Sequence, residues 1–285
     1  MKITPAIQQI LSHYESDNQE TLTNLSRILM HGTLGGTGKL LILPVDQGFE
    51  HGPDKSFSQN PDAYDPHYHY QLAIDAGLSA YAAPFGMLEC GAKTFAGKIP
   101  TILKMNSSNA LLPKSAEPDQ AITSSIDDAI RLGCVAVGMT IYPGSAKSLE
   151  MFEEARAVIK EAKAKGLPTV IWSYPRGGDL IKEDETSLET ISYGAHIAAL
   201  LGAHIIKVKL PTGNDIKHVV RACFAGKRIV VFSGGAAKSD EEILCEVRAI
   251  SAGGGNGSII GRNSFQRSKD QALKLLESIC EIYKQ

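Results

Sequence analysis

The stretch Ala203-His204-Ile205-Ile206-Lys207-Val208-Lys209-Leu210 has the apolar, β-branched composition of an interior strand, yet it carries two lysines. Side chains alternate across a strand, so Ile206, Val208 and Leu210 share one face while Ile205, Lys207 and Lys209 share the other. An ammonium taken out of water without a partner is costly enough that it tends to lose its proton. A lysine crowded by other ammonium groups is pushed the same way and becomes a free amine near neutral pH. Such an amine attacks ketones and aldehydes, and the imine that follows withdraws electrons from the neighbouring carbon. That chemistry needs an acid/base group. Tyr174, in Trp172-Ser173-Tyr174, supplies a phenol whose pKa the nearby lysines are expected to lower, and Asp46 can hold substrate hydroxyls or assist dehydration.

The same alternation gives a consistent picture elsewhere. Leu41, Leu43 and Val45 fall on one face of a candidate strand that ends with Asp46 on the other. Leu103 and Met105 oppose Lys104 and Asn106, and Thr169, Ile171 and Ser173 oppose Trp172 and Tyr174. With the apolar faces packed outward on helices, Asp46, Lys104, Asn106, Trp172, Tyr174, Lys207 and Lys209 converge inside. Each alone has a plain structural explanation: a lysine that snorkels to water, an aspartate that neutralises it, a core aromatic with a wet tip. A core without function, however, would fill these inner positions with Val, Ile or Leu.

Two further segments suit a phosphate. Phe232-Ser233-Gly234-Gly235 and Ile259-Ile260-Gly261-Arg262-Asn263, the latter preceded by the run Gly253-Gly254-Gly255-Asn256-Gly257, combine glycines with one arginine. Glycines let backbone N–H groups approach an anion, although they also serve tight turns. A short helix is expected from about Asn263-Ser264. By contrast Gly32–Lys39, GTLGGTGK, lacks the spacing and the Ser/Thr after lysine that a nucleotide-binding P-loop requires.

The elements that must position these groups are legible as eight short apolar runs: Leu41–Asp46, Ala80–Pro84, Thr101–Asn106, Ala136–Tyr142, Thr169–Tyr174, His204–Leu210, Ile229–Gly235 and Ser258–Asn263. Amphipathic stretches intervene, the clearest being Leu149–Lys165, Ser187–Leu201, Asp240–Ala249 and Asp270–Tyr283. This repeat predicts a (β/α)8 TIM barrel, an α/β fold whose sites lie at the C-terminal ends of the strands and whose last two loops commonly bind phosphate. The polar, proline-bearing segment Gln47–His67 is expected to be a loop over the site. No linker divides residues 1–285, so a single domain is expected, with residues 1–39 as an N-terminal helical extension.

Composition narrows the function classes. The 285 residues are 43% hydrophobic and 21% charged, with a formal charge of −2 and no long run of like charge, which argues against nucleic acid or a membrane surface as partner. The five cysteines are dispersed and odd in number, as in a reduced cytoplasmic protein. The N-terminal residues lack the apolar run of a signal peptide, and no stretch is long and apolar enough to span a bilayer. A cytoplasmic location is expected.

Together, LPVDQGFEHGP (Leu43–Pro53), TVIWSYPRG (Thr169–Gly177), IIKVK (Ile205–Lys209), FSGG (Phe232–Gly235) and IIGRN (Ile259–Asn263) resemble the archaeal-type class I fructose-1,6-bisphosphate aldolases, in particular their bacterial members. The resemblance runs in order from about Leu40 to the C-terminus. It implies metal-independent, cofactor-free cleavage of fructose 1,6-bisphosphate to dihydroxyacetone phosphate and glyceraldehyde 3-phosphate, in a homo-oligomer. It places the Schiff-base lysine at Lys207, the acid/base tyrosine at Tyr174, the active-site tryptophan at Trp172 and the strand-one aspartate at Asp46. His51 falls near a phosphate, and Ser233, Gly234, Gly235, Gly261 and Arg262 fall at the dihydroxyacetone phosphate end, with Lys209 assisting proton traffic. Many members carry His where this chain has Gln47. Three other readings stay open: another Schiff-base or transaldol enzyme on the same barrel, a metal enzyme using His51, His67, His69 or His196, and a non-catalytic sugar-phosphate-binding regulator.

Overall fold

The computed structural model describes residues 3–235 and 237–285, so Met1 and Lys2 of the extension and Ala236 lie outside it. Eight parallel strands close into a barrel: Leu40–Pro44, Ala80–Pro84, Thr101–Lys104, Ala136–Ile141, Thr169–Ser173, Ile205–Lys209, Ile229–Ser233 and Gly257–Ile259. Each pairs with its neighbours in chain order, and the first closes on the last through Leu40 opposite Gly257. All eight expected strands are present, trimmed by one to four residues at their C-terminal ends in most cases, where the chain leaves the ladder to form the mouth.

Alternation sorts the strand residues into two cores. Leu41, Leu43, Leu103, Ile171, Ile206 and Val208 join the apolar cluster shared with the outer helices. Ile42, Ala82, Ile102, Val170, Ile205 and Val231 point inward. This inner stack is sealed from below by the extension, whose helices Pro5–Leu11 and Gln19–Leu29 contribute Ile7, Leu25, Ile28 and Leu29, all fully buried. The two helices start on side-chain caps from Thr4 and Asn18, which satisfy amides that a helix start leaves open. Tyr14 stacks on His204 at 5.3 Å between ring centroids, and its hydroxyl donates to the His204 carbonyl at 2.6 Å. The His204 ring accepts the Thr169 amide on Nδ1 at 2.9 Å, so Nε2 carries the proton and donates to Asp17 at 2.9 Å. Asp17 also meets Lys163 at 2.9 Å. The extension is thus the floor of the barrel.

Two expectations need correction. Segment 47–67 is not an irregular loop: it forms the short helices Gln47–His51 and Pro53–Phe57 and a 3-10 turn, Pro61–Tyr64, and enters the helix Pro66–Asp75. The positive φ of Gly52 separates the first two helices. The run Gly253–Gly257 lies at the start of the eighth strand, opposite the mouth, where the Gly257 position admits no side chain because a Cβ would fall 1.9 Å from the Leu40 carbonyl. Gly257 lets the eighth strand lie against the first, the others turn the chain from the preceding helix into that strand, and none of them lines the cavity.

Candidate active site

Above the apolar stack the inward positions turn polar in one layer. Lys104, Thr140, Trp172 and Lys207 occupy it on the third to sixth strands, at registers that pair Lys104 with Gly138, Thr140 with Trp172 and Trp172 with Lys207. One residue pair further up, Asp46, Asn106, Tyr174 and Lys209 follow by the same alternation. A cavity of about 490 Å³ opens over this layer. Of the expected site residues, Asp46, His51, Tyr174, Lys207, Lys209, Ser233, Gly234, Gly235, Gly261 and Arg262 line it, whereas Trp172, Lys104 and Asn106 do not. Trp172 is buried, 1% exposed.

Lys207 is 4% exposed. Burial drives its pKa down from the ordinary lysine range to about 8; Asp46 and Glu50 oppose that fall, while Lys104 and Arg262 add to it. Its Nζ stands 5.4 Å from the Trp172 ring and 5.4 Å from the Tyr174 ring. Lys209 is different in kind. It is half-buried and bonds Glu185 at 2.6 Å, so its charge is matched by a carboxylate. The cation that crowds Lys207 most is Lys104 from the third strand.

The expected lowering of the Tyr174 pKa is wrong for the resting site. Burial, then the carboxylates Asp46 and Glu50, raise it well above the usual phenol value, and the Arg176 guanidinium, 5.6 Å from the ring, only partly offsets them. Desolvation of a phenolate, together with two nearby carboxylates, outweighs the one cation that offsets them, Arg176. His51 is pushed down by burial and by Arg262 and Lys55, so it is a neutral imidazole near pH 7, a hydrogen-bonding group rather than a cation.

The glycine segments meet as expected. Arg262 donates to the Gly235 carbonyl at 2.9 Å, and Asn263 donates to the Gly234 carbonyl at 3.2 Å, which ties the seventh and eighth loops together. The short helix begins at Arg262. The other histidines are engaged elsewhere: His67 with the Cys90 carbonyl at 2.9 Å, His69 with Ala63 at 2.7 Å and His196 with Ala222 at 2.7 Å. None of these three lines the cavity.

Sequence reasoning missed several lining residues, including Glu50, Arg176, Lys182 and Lys238. Glu50 had a signal, since it stands four residues after Asp46 in DQGFEHG and one helical turn brings both carboxyls to one side. Its pKa is raised by burial and by Asp46. Arg176 had one as well, two residues past Tyr174. Lys182 and Lys238 lie on irregular chain, where no periodicity marks direction. The described residues hold at least five cationic side chains around one cavity, Arg176, Lys182, Lys209, Lys238 and Arg262, with Lys207 at its base. A ligand with two anionic ends fits that distribution.

The sequence pattern of the DeoC/LacD family aldolases matches residues 40–267. The chain is 40% identical over 246 residues to the class 1 fructose-bisphosphate aldolase of Thermoproteus tenax, covering 86% of this chain and 89% of that one. It is 36% identical over 301 residues to a probable class 1 fructose-bisphosphate aldolase of Chlamydia trachomatis, covering 94% and 86%. Its fold superposes with a TM-score of 0.81, at 36% identity and over 92% of this chain and 99% of the other, on an archaeal fructose-1,6-bisphosphate aldolase whose catalytic lysine is covalently bound to the carbinolamine intermediate of the substrate.

Proposed function

The chain belongs to the DeoC/LacD aldolase family, and from that premise we propose that it is a Schiff-base-forming class I fructose-bisphosphate aldolase with Lys207 as nucleophile. The observation that carries this reading is the Lys207 amine itself, buried at the base of a cation-lined cavity with a pKa of about 8.

Near neutral pH about a tenth of Lys207 is free amine, enough to attack C2 of the open-chain ketose. The carbinolamine loses water with proton transfer through Asp46 and Tyr174, leaving a protonated imine. That iminium holds a positive charge beside Tyr174 whatever the pH, and this charge favours the phenolate that burial disfavours. Tyr174 then takes the C4 hydroxyl proton. The C3–C4 bond breaks, its electron pair enters the iminium as an enamine, and glyceraldehyde 3-phosphate departs. Tyr174 returns the proton to C3, and water hydrolyses the imine to release dihydroxyacetone phosphate and restore the amine. Ser233, Gly234, Gly235, Gly261 and Arg262 hold the phosphate next to the carbonyl that reacts, with His51 as a neutral donor, and Trp172 keeps the lysine in place. Arg176 and Lys182, which also line the cavity, take the second phosphate. No metal or cofactor is assigned a step.

The protein is proposed to work in the cytoplasm as a homo-oligomer, on a sugar phosphate and without nucleic acid or membrane partners. Among the described residues no helix is long and apolar enough to cross a membrane. The homo-oligomer is supported by Leu149, Tyr193 and Leu200, which are 73%, 67% and 65% exposed on the outer helices Ser148–Ala164 and Leu188–Leu201.

The test is borohydride trapping with dihydroxyacetone phosphate, followed by peptide mass mapping. An adduct on Lys207, absent in Lys207→Met, is expected. An adduct only on Lys209 or Lys104, or none at all in a preparation that cleaves fructose 1,6-bisphosphate, would overturn the assignment.

A further inference from the structure

Lys104 is a second lysine inside the barrel, 1% exposed, and the reaction above gives it no step. It is held from the mouth side by Asn106: Nζ donates to the Asn106 main-chain oxygen and, at 3.2 Å, to Asn106 Oδ1. Asn106 is itself fixed by the fourth strand, accepting the Thr140 amide at 2.8 Å and donating to the Thr140 carbonyl at 2.8 Å. Burial lowers the Lys104 pKa from the ordinary lysine range, with the carboxylates of Asp46 and Glu50 opposing that fall, and the two oxygen acceptors hold the ammonium form in place. The same indole then meets both cations. Lys104 Nζ is 5.9 Å and Lys207 Nζ 5.4 Å from the Trp172 ring. A lysine needed only for packing could be replaced by an apolar side chain of similar length without the desolvation cost. Its retention with a dedicated side-chain acceptor points to its charge.

We propose that Lys104 is a positioning residue for the nucleophile: its ammonium, pinned by Asn106 beside the Trp172 indole, repels a proton from Lys207 and so enlarges the fraction of Lys207 present as free amine. The inference rests on the reading of Lys207 as the imine-forming residue and adds to it where the amine comes from. The groups that face Lys207 are Asp46, Glu50 and Tyr174 on the acidic side and Lys104 and Arg262 on the basic side, and Lys104 acts on it more strongly than Arg262 does. Lys209, two residues on, is matched by Glu185. The groups that face Lys104 are Asp46 and Glu50. Burial sets most of the fall at Lys207, Asp46 and Glu50 oppose it, and the Lys104 charge adds a like-charge contribution that offsets part of theirs.

The experiment measures Lys207 as an amine, independently of aldol chemistry. Wild type, Lys104→Gln, Lys104→Met and Lys104→Arg are treated briefly with cyanate across pH 6–10 (a range of about four units that brackets the ordinary lysine shift), digested, and the carbamylated Lys207 peptide is quantified by mass. Circular dichroism establishes which variants are folded. A midpoint near 8 is expected in wild type and in Lys104→Arg, which keeps the charge. In whichever of Lys104→Gln and Lys104→Met folds, the midpoint is expected about one unit higher, with Lys207 labelling about tenfold slower near neutral pH. The acid limb of kcat/KM for fructose 1,6-bisphosphate moves with it. An unmoved midpoint in a folded, uncharged variant overturns the inference while leaving the aldolase reading intact. A shifted midpoint in a protein that neither cleaves nor traps substrate upholds the inference about Lys104 and overturns the aldolase reading instead.

Discussion

Gly138 makes the room that Trp172 fills. A Cβ built on Gly138 would lie 2.0 Å from Cζ3 of the Trp172 indole, so the fourth strand needs a glycine here for the ring to keep its place 5.4 Å from Lys207 Nζ. The indole in turn stands within 6 Å of both interior lysines. One missing side chain on one strand therefore sets the position of a nucleophile two strands away.

Gly138→Ala is expected to move the indole rather than the strand, because the backbone is locked in the barrel ladder. Overpacking of this kind costs about 1–3 kcal/mol, and a nucleophile displaced by about 1 Å loses on the order of 100-fold in kcat/KM. Thermal melting and steady-state kinetics read the two effects. A fully active Gly138→Ala would mean that the indole does not hold Lys207.

Tyr174→Phe separates imine formation from bond cleavage. The variant is expected to retain borohydride trapping on Lys207, more slowly, because Asp46 still serves dehydration, while kcat for cleavage falls by about 10²–10⁴-fold, the range for losing a positioned acid/base group. Loss of trapping together with cleavage would mean that Asp46 cannot carry dehydration without Tyr174.

The Lys207 titration gives a pH dependence with a definite sign. The amine is the reactive form, so kcat/KM rises with pH and levels off above about 8. For stability, the folded protein holds fewer protons on this lysine than the unfolded chain does between that value and the ordinary lysine pKa of 10.5, so this contribution favours folding more as pH rises through the window. Lys207→Met removes a penalty that is fully present below pH 8, and the variant is expected to melt higher than wild type at pH 7 by an amount equivalent to about 1–3 kcal/mol. A lower melting temperature would show that the ammonium is better compensated than its surroundings indicate.

Asp17 tests the floor. Burial alone would raise its pKa, but the bonds from His204 and Lys163 prevail and hold it at about 2. The stability it contributes is complete above the ordinary carboxyl value of 3.8 and is lost as pH falls toward 2. Asp17→Ala leaves the buried His204 Nε2–H without its acceptor and is expected to cost about 1–3 kcal/mol at pH 7. The KM for fructose 1,6-bisphosphate should not change, since the latch lies at the far end of the barrel from the cavity. A large change in KM would mean that the floor and the mouth are coupled.

The sequence alone determined the barrel and the inward set of residues, because alternation along a strand is local: Ile206 and Val208 must pack on helices, and Lys207 must then point inside. The same rule placed Asp46, Lys104, Asn106 and Tyr174 without any knowledge of their neighbours. Partnership across the barrel was decided only by closure. Closure put Lys104, not Lys209, nearest in effect to Lys207, gave Lys209 to Glu185, and sent the glycines of 253–257 to the opposite end from Gly234 and Gly261. It also reversed the sign at Tyr174, since the balance between desolvation and neighbouring charge depends on depth, and depth is a property of the folded molecule. Helical turns within 47–67 were hidden because each is too short to show a period, and with them went Glu50.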